Sequence, residues 1–306
     1  MNILNALLVA VFFIVFLGGF YFLWTTLKAP SVDFEAYKSN FSQDLPLKSS
    51  QFYPNMRYPD KKIIYELEKN CTEKRKNDAR EAFKILEEKT ILEFEEGSDP
   101  QISISCSNIA PTLEQETHFI AGEGGPVEII NTSRYSVILL GRISLYRPEN
   151  CKNSQIAIHE ILHALGFDHN NNEKSIMYPI TNCGQEIDDY IIKEINEVYK
   201  AAPQSDLLIE ELKANTTRGY LNFEATITNH GLKDSEESSL VITTENTKIE
   251  TFPLENIEIG TKRKIRVTNL KMPRKYSKIT FLIESSEYEI SKENNQIILQ
   301  VAESNL

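Results

Sequence analysis

His159-Glu160-Ile161-Leu162-His163-Ala164-Leu165-Gly166-Phe167-Asp168-His169 is the stretch from which the rest of this 306-residue chain can be read. On a helix, residues four apart lie one turn above the other, so the imidazoles of His159 and His163 can share one metal ion. Glu160 sits beside the first of them and points a little aside. It can hydrogen-bond a water on the ion without capturing the ion itself. Gly166 lets the chain leave the helix, because a residue without Cβ adopts the left-handed cap conformation cheaply. The turn then brings His169 round as a third ligand. Three of the chain's five histidines fall in this run, and in a chain of this composition chance would place the five specified residues with a probability on the order of 10⁻⁵. A core helix with incidental histidines would have to bury ionisable groups without partners.

Outward from the motif, the pattern is that of an α+β domain over residues 58–203. Residues 63–67 read as a strand, and Thr72 caps a helix whose apolar face is Ala79, Ala82, Phe83 and Leu86. Strand signals follow at 91–94, at 102–106 with strict alternation, and at 137–146. The motif helix comes after Pro148. A last helix over about 185–199 aligns Ile187, Ile191, Ile195 and Val198, and Pro203 stops it. From residue 204 to 306 the chain turns to short β-rich runs at 221–228, 240–244, 265–267, 279–283 and 297–301. Their turns carry Asn229 to Gly231 and Gly260, and the regular spacing indicates an all-β sandwich.

Upstream, residues 3–24 are apolar apart from Asn5, long enough to span a bilayer core of about 30 Å. Residues 1–27 are therefore expected to be a single-pass transmembrane anchor in the cell membrane, with the lipid bilayer as a partner. Residues 28–57, with Pro30, Pro46 and Pro54 and no sustained period, read as a stalk. Cys71, Cys106, Cys151 and Cys183 form an even set without a CxxC pair, which fits disulfides and places the domain outside the cell. Of the three pairings, Cys71 with Cys106 and Cys151 with Cys183 is expected, since each joins segments that should be neighbours. A net charge of -11 without a basic cluster argues against nucleic acid as a partner.

The motif HExxHxxGxxH, followed by Ser175-Ile176-Met177-Tyr178-Pro179, resembles the metzincin metalloproteases, and Met-Tyr-Pro is most similar to their matrixin branch. Arg57-Tyr58-Pro59-Asp60 is similar to the start of a matrixin catalytic domain. The resemblance implies a mixed twisted sheet with a motif helix and a C-terminal helix. It also implies that His159, His163 and His169 are zinc ligands, that Glu160 is catalytic, and that Met177 is a methionine turn beneath the metal. Calcium is a further implied cofactor with no ligand set to place it; Glu123 with Gly124 and Gly125 is the only hint. Residues 25–57 lack the cysteine that thiolate latency needs, and His118 and His230 read as surface or loop residues. Around Asn229-His230-Gly231 and Ile259-Gly260 the C-terminal part resembles cell-adhesion-related immunoglobulin-like modules, which implies a spacer or binding unit.

The function this implies is zinc-dependent hydrolysis of a protein or peptide substrate. Three neutral imidazoles leave one zinc position open for a water whose pKa falls near 7, and Glu160 acts as its general base and then as an acid. Exposed backbone along 137–146 would pair with an extended substrate. The alternative is a cell-surface binding protein with a structural or inactive zinc site, and a cytosolic zinc enzyme tethered at the inner face is a third reading. An intact glutamate speaks against the structural site, which needs no base.

Overall fold

The computed structural model of the protein describes residues 12–19, 31–39, 50–111, 120–245 and 247–301. Of the expected span, only 12–19 are described, as exposed helix, and the remainder lies outside the described residues. Among the described residues, no helix is long and apolar enough to cross a membrane. The expected stalk is not free of structure. It carries two short strands, β1 (Ser31–Asp33) and β2 (Tyr37–Lys38), and residues 50–57 pack against the motif.

The motif lies under a mixed sheet. Its strands are β3 (Met56–Arg57), β4 (Lys62–Leu67), β5 (Glu93–Glu96), β6 (Ile102–Cys106), β7 (Gly122–Asn131) and β8 (Ser136–Leu145), in the order β3-β8-β6-β4-β5 with β7 on β8. All pairs are parallel except β7 with β8. The alternation read in β6 is real, with Ile102, Ile104 and Cys106 buried. Between β4 and β5 runs α1 (Glu73–Lys89). The Thr72 hydroxyl accepts from the Arg75 N–H at its start, Glu73 and Lys89 complement its dipole, and Ala79, Ala82, Phe83 and Leu86 face the core. Strand β5 begins two residues later than its apolar pattern suggested. Ile91 and Leu92 serve instead as the exit from α1, with the Ile91 N–H bound to Asn196 Oδ1 and Leu92 buried.

The motif helix is α2 (Gln155–Ala164), and α3 (Asp189–Val198) closes this part of the chain. Helix α3 starts at Asp189 rather than near Gln185 because the preceding backbone is held extended. Ile176 N–H donates to Glu186 O at 2.7 Å, Glu186 N–H to Lys174 O at 3.0 Å, and the Gln185 side chain to Ile180 O at 2.9 Å. Disulfides join Cys71 to Cys106 and Cys151 to Cys183, the pairing expected. The first ties the approach to α1 to the end of β6; the second ties the loops before α2 and α3. Arg57 is fully buried, donates to Val198 O and Ala201 O at 2.7 and 3.0 Å, and lies 4.5 Å from the centre of the Tyr199 ring. It fastens the end of α3 to β3.

Beyond residue 204 come β9 (Leu207–Thr217), β10 (Tyr220–Asn229), β11 (Ser238–Thr244), β12 (Thr247–Glu255), β13 (Lys262–Lys271), β14 (Lys278–Ser285) and β15 (Gln296–Gln300). They form two antiparallel sheets, β1-β9-β10-β13 with β2 on β9, and β12-β11-β14-β15. Residues of both sheets share one apolar cluster, in which Phe223 meets Phe281 edge-on at 5.1 Å. Each of the five expected runs carries a strand. Strands β9 and β12 are additional: β9 is rich in helix formers (Leu, Glu, Lys), and β12 contains Pro253, so neither announces itself locally.

The two parts meet at the turn between β7 and β8. Arg134 Nε lies 3.0 Å from Oδ2 of the fully buried Asp206, Thr132 Oγ1 donates to His230 O at 3.3 Å, and Ser133 Oγ contacts His230 Nδ1. Val137, Leu232 and Ile259 form a small core between them, with Ile130, Tyr135 and Ile290 packed around it. His230, expected as a surface or loop residue, does lie in a loop, directly after β10, but is buried in this junction. Its neighbour Gly231 has no room for a side chain, since a Cβ would lie 2.5 Å from Asp206 N. His118 lies outside the described residues.

Candidate metal centre

Helix α2 is buried on almost every side, from Ala157 to Ala164, so it lies between the sheet and the loops that follow it. Its exit is a Schellman cap: Phe167 N–H donates to Leu162 O at 3.0 Å and Gly166 N–H to His163 O at 2.9 Å. Gly166 has φ +96°, and a Cβ there would come within 2.5 Å of Met56 Sδ. Conformation and space both require glycine. The chain after the cap is held by the segment before β3, with Phe52 N–H on Gly166 O at 2.8 Å and Asp168 N–H on Ser50 O at 2.9 Å.

These restraints bring the three expected histidines together. The Nε2 atoms of His159 and His163 are 3.0 Å apart, those of His163 and His169 3.0 Å, and those of His159 and His169 3.2 Å. On the far side of each helical ring, Nδ1 reaches a backbone carbonyl: His159 to Ile176 O at 2.5 Å and His163 to Phe167 O at 2.8 Å. A ring that donates from Nδ1 carries a lone pair on Nε2. The lone pairs of His159 and His163 thus converge on the space they share with His169 Nε2, where a cation would satisfy all three. Nitrogen ligands about 2.0–2.1 Å from a tetrahedral zinc stand roughly 3.3 Å apart, close to the spacing found. Burial, and then the neighbouring rings, hold His159 and His163 down at about 4, and burial lowers His169 as well, so all three are neutral at pH 7 and competent as ligands. The residues fit a metal ion.

Residues 57–200 match the matrixin family model. The match supports a metalloprotease, and the family implies zinc. Curated proteins gave no match. Two solved structures are similar to about a third of the chain. One is an NMR structure of a domain from Methanosarcina acetivorans whose name places it provisionally at the cell surface; identity is 17%, coverage 33% of this chain and 94% of that one, and the TM-score 0.27. The other is a CARDB domain from Pyrococcus furiosus, solved in complex with di-metal ions, at 13% identity, 32% and 90% coverage and a TM-score of 0.26.

Within the matrixin-like stretch, Glu160 is buried, and no side-chain hydrogen bond engages its carboxylate among the described residues. Burial, with the charge of Glu123 adding to it, pushes Glu160 up to about 8. A cation at the histidines would oppose that shift. Met177 is fully buried and its turn is tied to the rings: Asn170 N–H, one residue past His169, donates to Met177 O at 3.0 Å, while Ile176 O holds His159.

Three features of the site lay beyond the sequence reading. Phe52 stacks on His163, with centroids 5.9 Å apart and planes 19° apart, and no local pattern announces it. Strand β7 went unread because Gly122-Glu123-Gly124-Gly125-Pro126 carries no strand alternation. Those glycines let it lie directly on α2, since a Cβ at Gly122 would come within 2.8 Å of Glu160 Oε1 and one at Gly124 within 2.2 Å of Glu160 O. Strand β8, expected to offer free backbone, is instead internal, flanked by β7 on one side and by β6 and β3 on the other. The edge beside the histidines is β7.

Proposed function

We propose that residues 58–203 form a zinc-dependent endopeptidase, held at the cell membrane by residues 3–24 with its catalytic part outside the cell, and followed by a β-sandwich of the cell-adhesion-related kind. One observation carries the reading: three neutral imidazoles converge within 3.2 Å beside a buried carboxylate that no other side chain engages among the described residues. A zinc ion on His159, His163 and His169 would supply Lewis acidity, polarising the scissile carbonyl and making water acidic enough to attack it at neutral pH. Glu160 accepts the proton of the attacking water and returns it to the leaving amine. The carbonyls of Ile176 and Phe167 keep the rings of His159 and His163 in the tautomer that presents Nε2. Met177 packs the turn beneath them.

Strand β7 pairs only with β8 among the described residues, so its outer edge is open to an extended peptide as an added antiparallel strand. Exposure outside the cell is supported by the two disulfides, which persist in oxidising compartments. The test is metal content and chelator-sensitive cleavage of a peptide library by the purified chain. Glu160→Gln should retain zinc and lose about 10²–10⁴-fold in turnover, while His163→Ala should lose the metal too. Near-normal hydrolysis by Glu160→Gln would end this reading of the mechanism.

A further inference from the structure

One end of the C-terminal β unit gathers cations that no carboxylate neutralises among the described residues. Arg218, Lys271 and Arg274 line a cavity of about 380 Å³ together with Val32, Tyr220 and Tyr276. Lys275 is exposed next to them. The contrast lies on the same sheet. Along β13, Lys262 is paired with Glu210, Arg263 with Glu255, and Lys264 and Arg266 with Glu224. Glu245, on the neighbouring turn, is engaged by the N–H and hydroxyl of Ser277. In a chain of net charge -11, a group of unpaired basic side chains stands out against the whole-molecule field.

The position of Arg218 is also unusual. Thr217 pairs with Tyr220, so Arg218 and Gly219 form a two-residue hairpin loop, with φ of 54° and 76°. Glycine, asparagine and aspartate are the residues that tolerate the first of these positions best. An arginine there projects a charge from the tip of the unit against its own backbone preference.

The same end receives the chain from the apolar run. Ser31 in β1 pairs with Thr217, and Val32 is part of the cavity wall. Six residues lie between Trp24, the last residue of the run, and Ser31, which makes seven steps along the chain, and an extended chain covers at most about 3.3–3.6 Å per residue. The cavity is therefore tethered within about 25 Å of the place where the run ends. Tyrosines beside basic groups are the side chains that settle at headgroup depth.

We propose that this end of the β unit is a membrane-contacting face on which Arg218, Lys271 and Arg274 bind the phosphates of anionic lipids, with Tyr220 and Tyr276 at headgroup level. The proposal rests on the anchored reading above for its geometry and on the unpaired charges for its chemistry. Through the Arg134–Asp206 junction the face sets how the peptidase part stands over the bilayer.

The test uses the full chain and lipid vesicles, either purely phosphatidylcholine or with a third of phosphatidylglycerol. Flotation separates the two readings, and the rate of amine modification at each lysine, read by mass spectrometry, reports contact. If the anchor holds, the chain floats with both compositions. Lys271 and Lys275 should then be protected only on anionic vesicles and released by salt, while Lys84 and Lys193 on the peptidase part stay reactive. If the anchor fails and the face is right, the chain floats with anionic vesicles alone. In both cases the Arg218→Glu, Lys271→Glu, Arg274→Glu variant should lose the effect, read at Lys275. Each basic group is worth about fivefold in partitioning, so three account for on the order of 100-fold. Equal reactivity on both vesicle types overturns the proposal, as does flotation with neither. Protection by inorganic phosphate alone, on neutral vesicles, would mark a free-anion site and overturn the membrane assignment.

Discussion

Replacing Gly124 by alanine tests whether β7 is part of the catalytic apparatus. The added Cβ would stand 2.2 Å from the carbonyl oxygen of Glu160 and 2.9 Å from its Cα and carbonyl carbon. These are backbone atoms of the motif helix, so no side chain can swing away to make room. A carbon approaches a carbonyl oxygen to about 3.3 Å at best, so the strand must withdraw by roughly 1 Å. Displacements of that size at a reacting centre cost on the order of 10²-fold in rate, and overpacking of this kind destabilises by about 1–3 kcal/mol. Gly125 is the control: its Cβ would meet nothing within 4 Å. The assay is kcat/KM on a quenched fluorescent peptide, with zinc per chain and urea unfolding measured on the same preparations. Gly124→Ala should lose about 100-fold in kcat/KM at full zinc content, because the histidines are fastened through Ile176 O and Phe167 O and not through β7. Gly125→Ala should match the parent. If both alanines behave alike, β7 does not shape the site.

Other expectations follow from packing, crosslinks and charge. Gly260 has φ +69°, and a Cβ there would lie 2.4 Å from Ile130 Cγ2; Gly260→Ala should destabilise by roughly 2–4 kcal/mol in urea, from left-handed strain plus overlap. Adding Ile130→Ala should recover the overlap part, so the two substitutions would be non-additive. Replacing Cys151 and Cys183 by serine opens a loop of 32 residues, for which chain entropy gives a loss of about 3.7 kcal/mol; an unchanged urea midpoint would exclude a stabilising crosslink. Hydrogen bonds from Lys264 and Arg266 hold Glu224 down at about 2, against an ordinary value of 4.5. A depressed carboxylate contributes stability that is full above its unfolded value and fades as the pH falls toward the folded one. The Tm difference between the parent and Glu224→Gln should therefore shrink from pH 5 to pH 2, and it should shrink with added salt at pH 7, since these pairs lie at the surface.

What could be read without the structure was whatever short spacing along one chain specifies. Four-residue periodicity places His159 and His163 on one face, and a glycine at the right offset ends the helix and turns His169 back. The stripe Ala79, Ala82, Phe83 and Leu86 likewise declares α1 because a helix repeats within its own sequence. Strict alternation marks β6, whose alternate side chains face one core. The four cysteines suited two bridges because the segments around them were already legible as neighbours.

Tertiary structure decided the rest, wherever an element owes its conformation to a partner far along the chain. Strand β7 is glycine-rich because α2 presses against it, and that pressure is invisible until both are placed. Strand β9 is extended despite its helix formers because β10, β1 and β2 pair with it, and residues 31–33 and 37–38 are strands for the same reason. His230 is buried by Ser133, almost a hundred positions away. Local spacing determined which atoms can meet one ion; long-range pairing determined which backbone edge stands beside them, because a strand's edge is defined by its neighbours and not by its own residues.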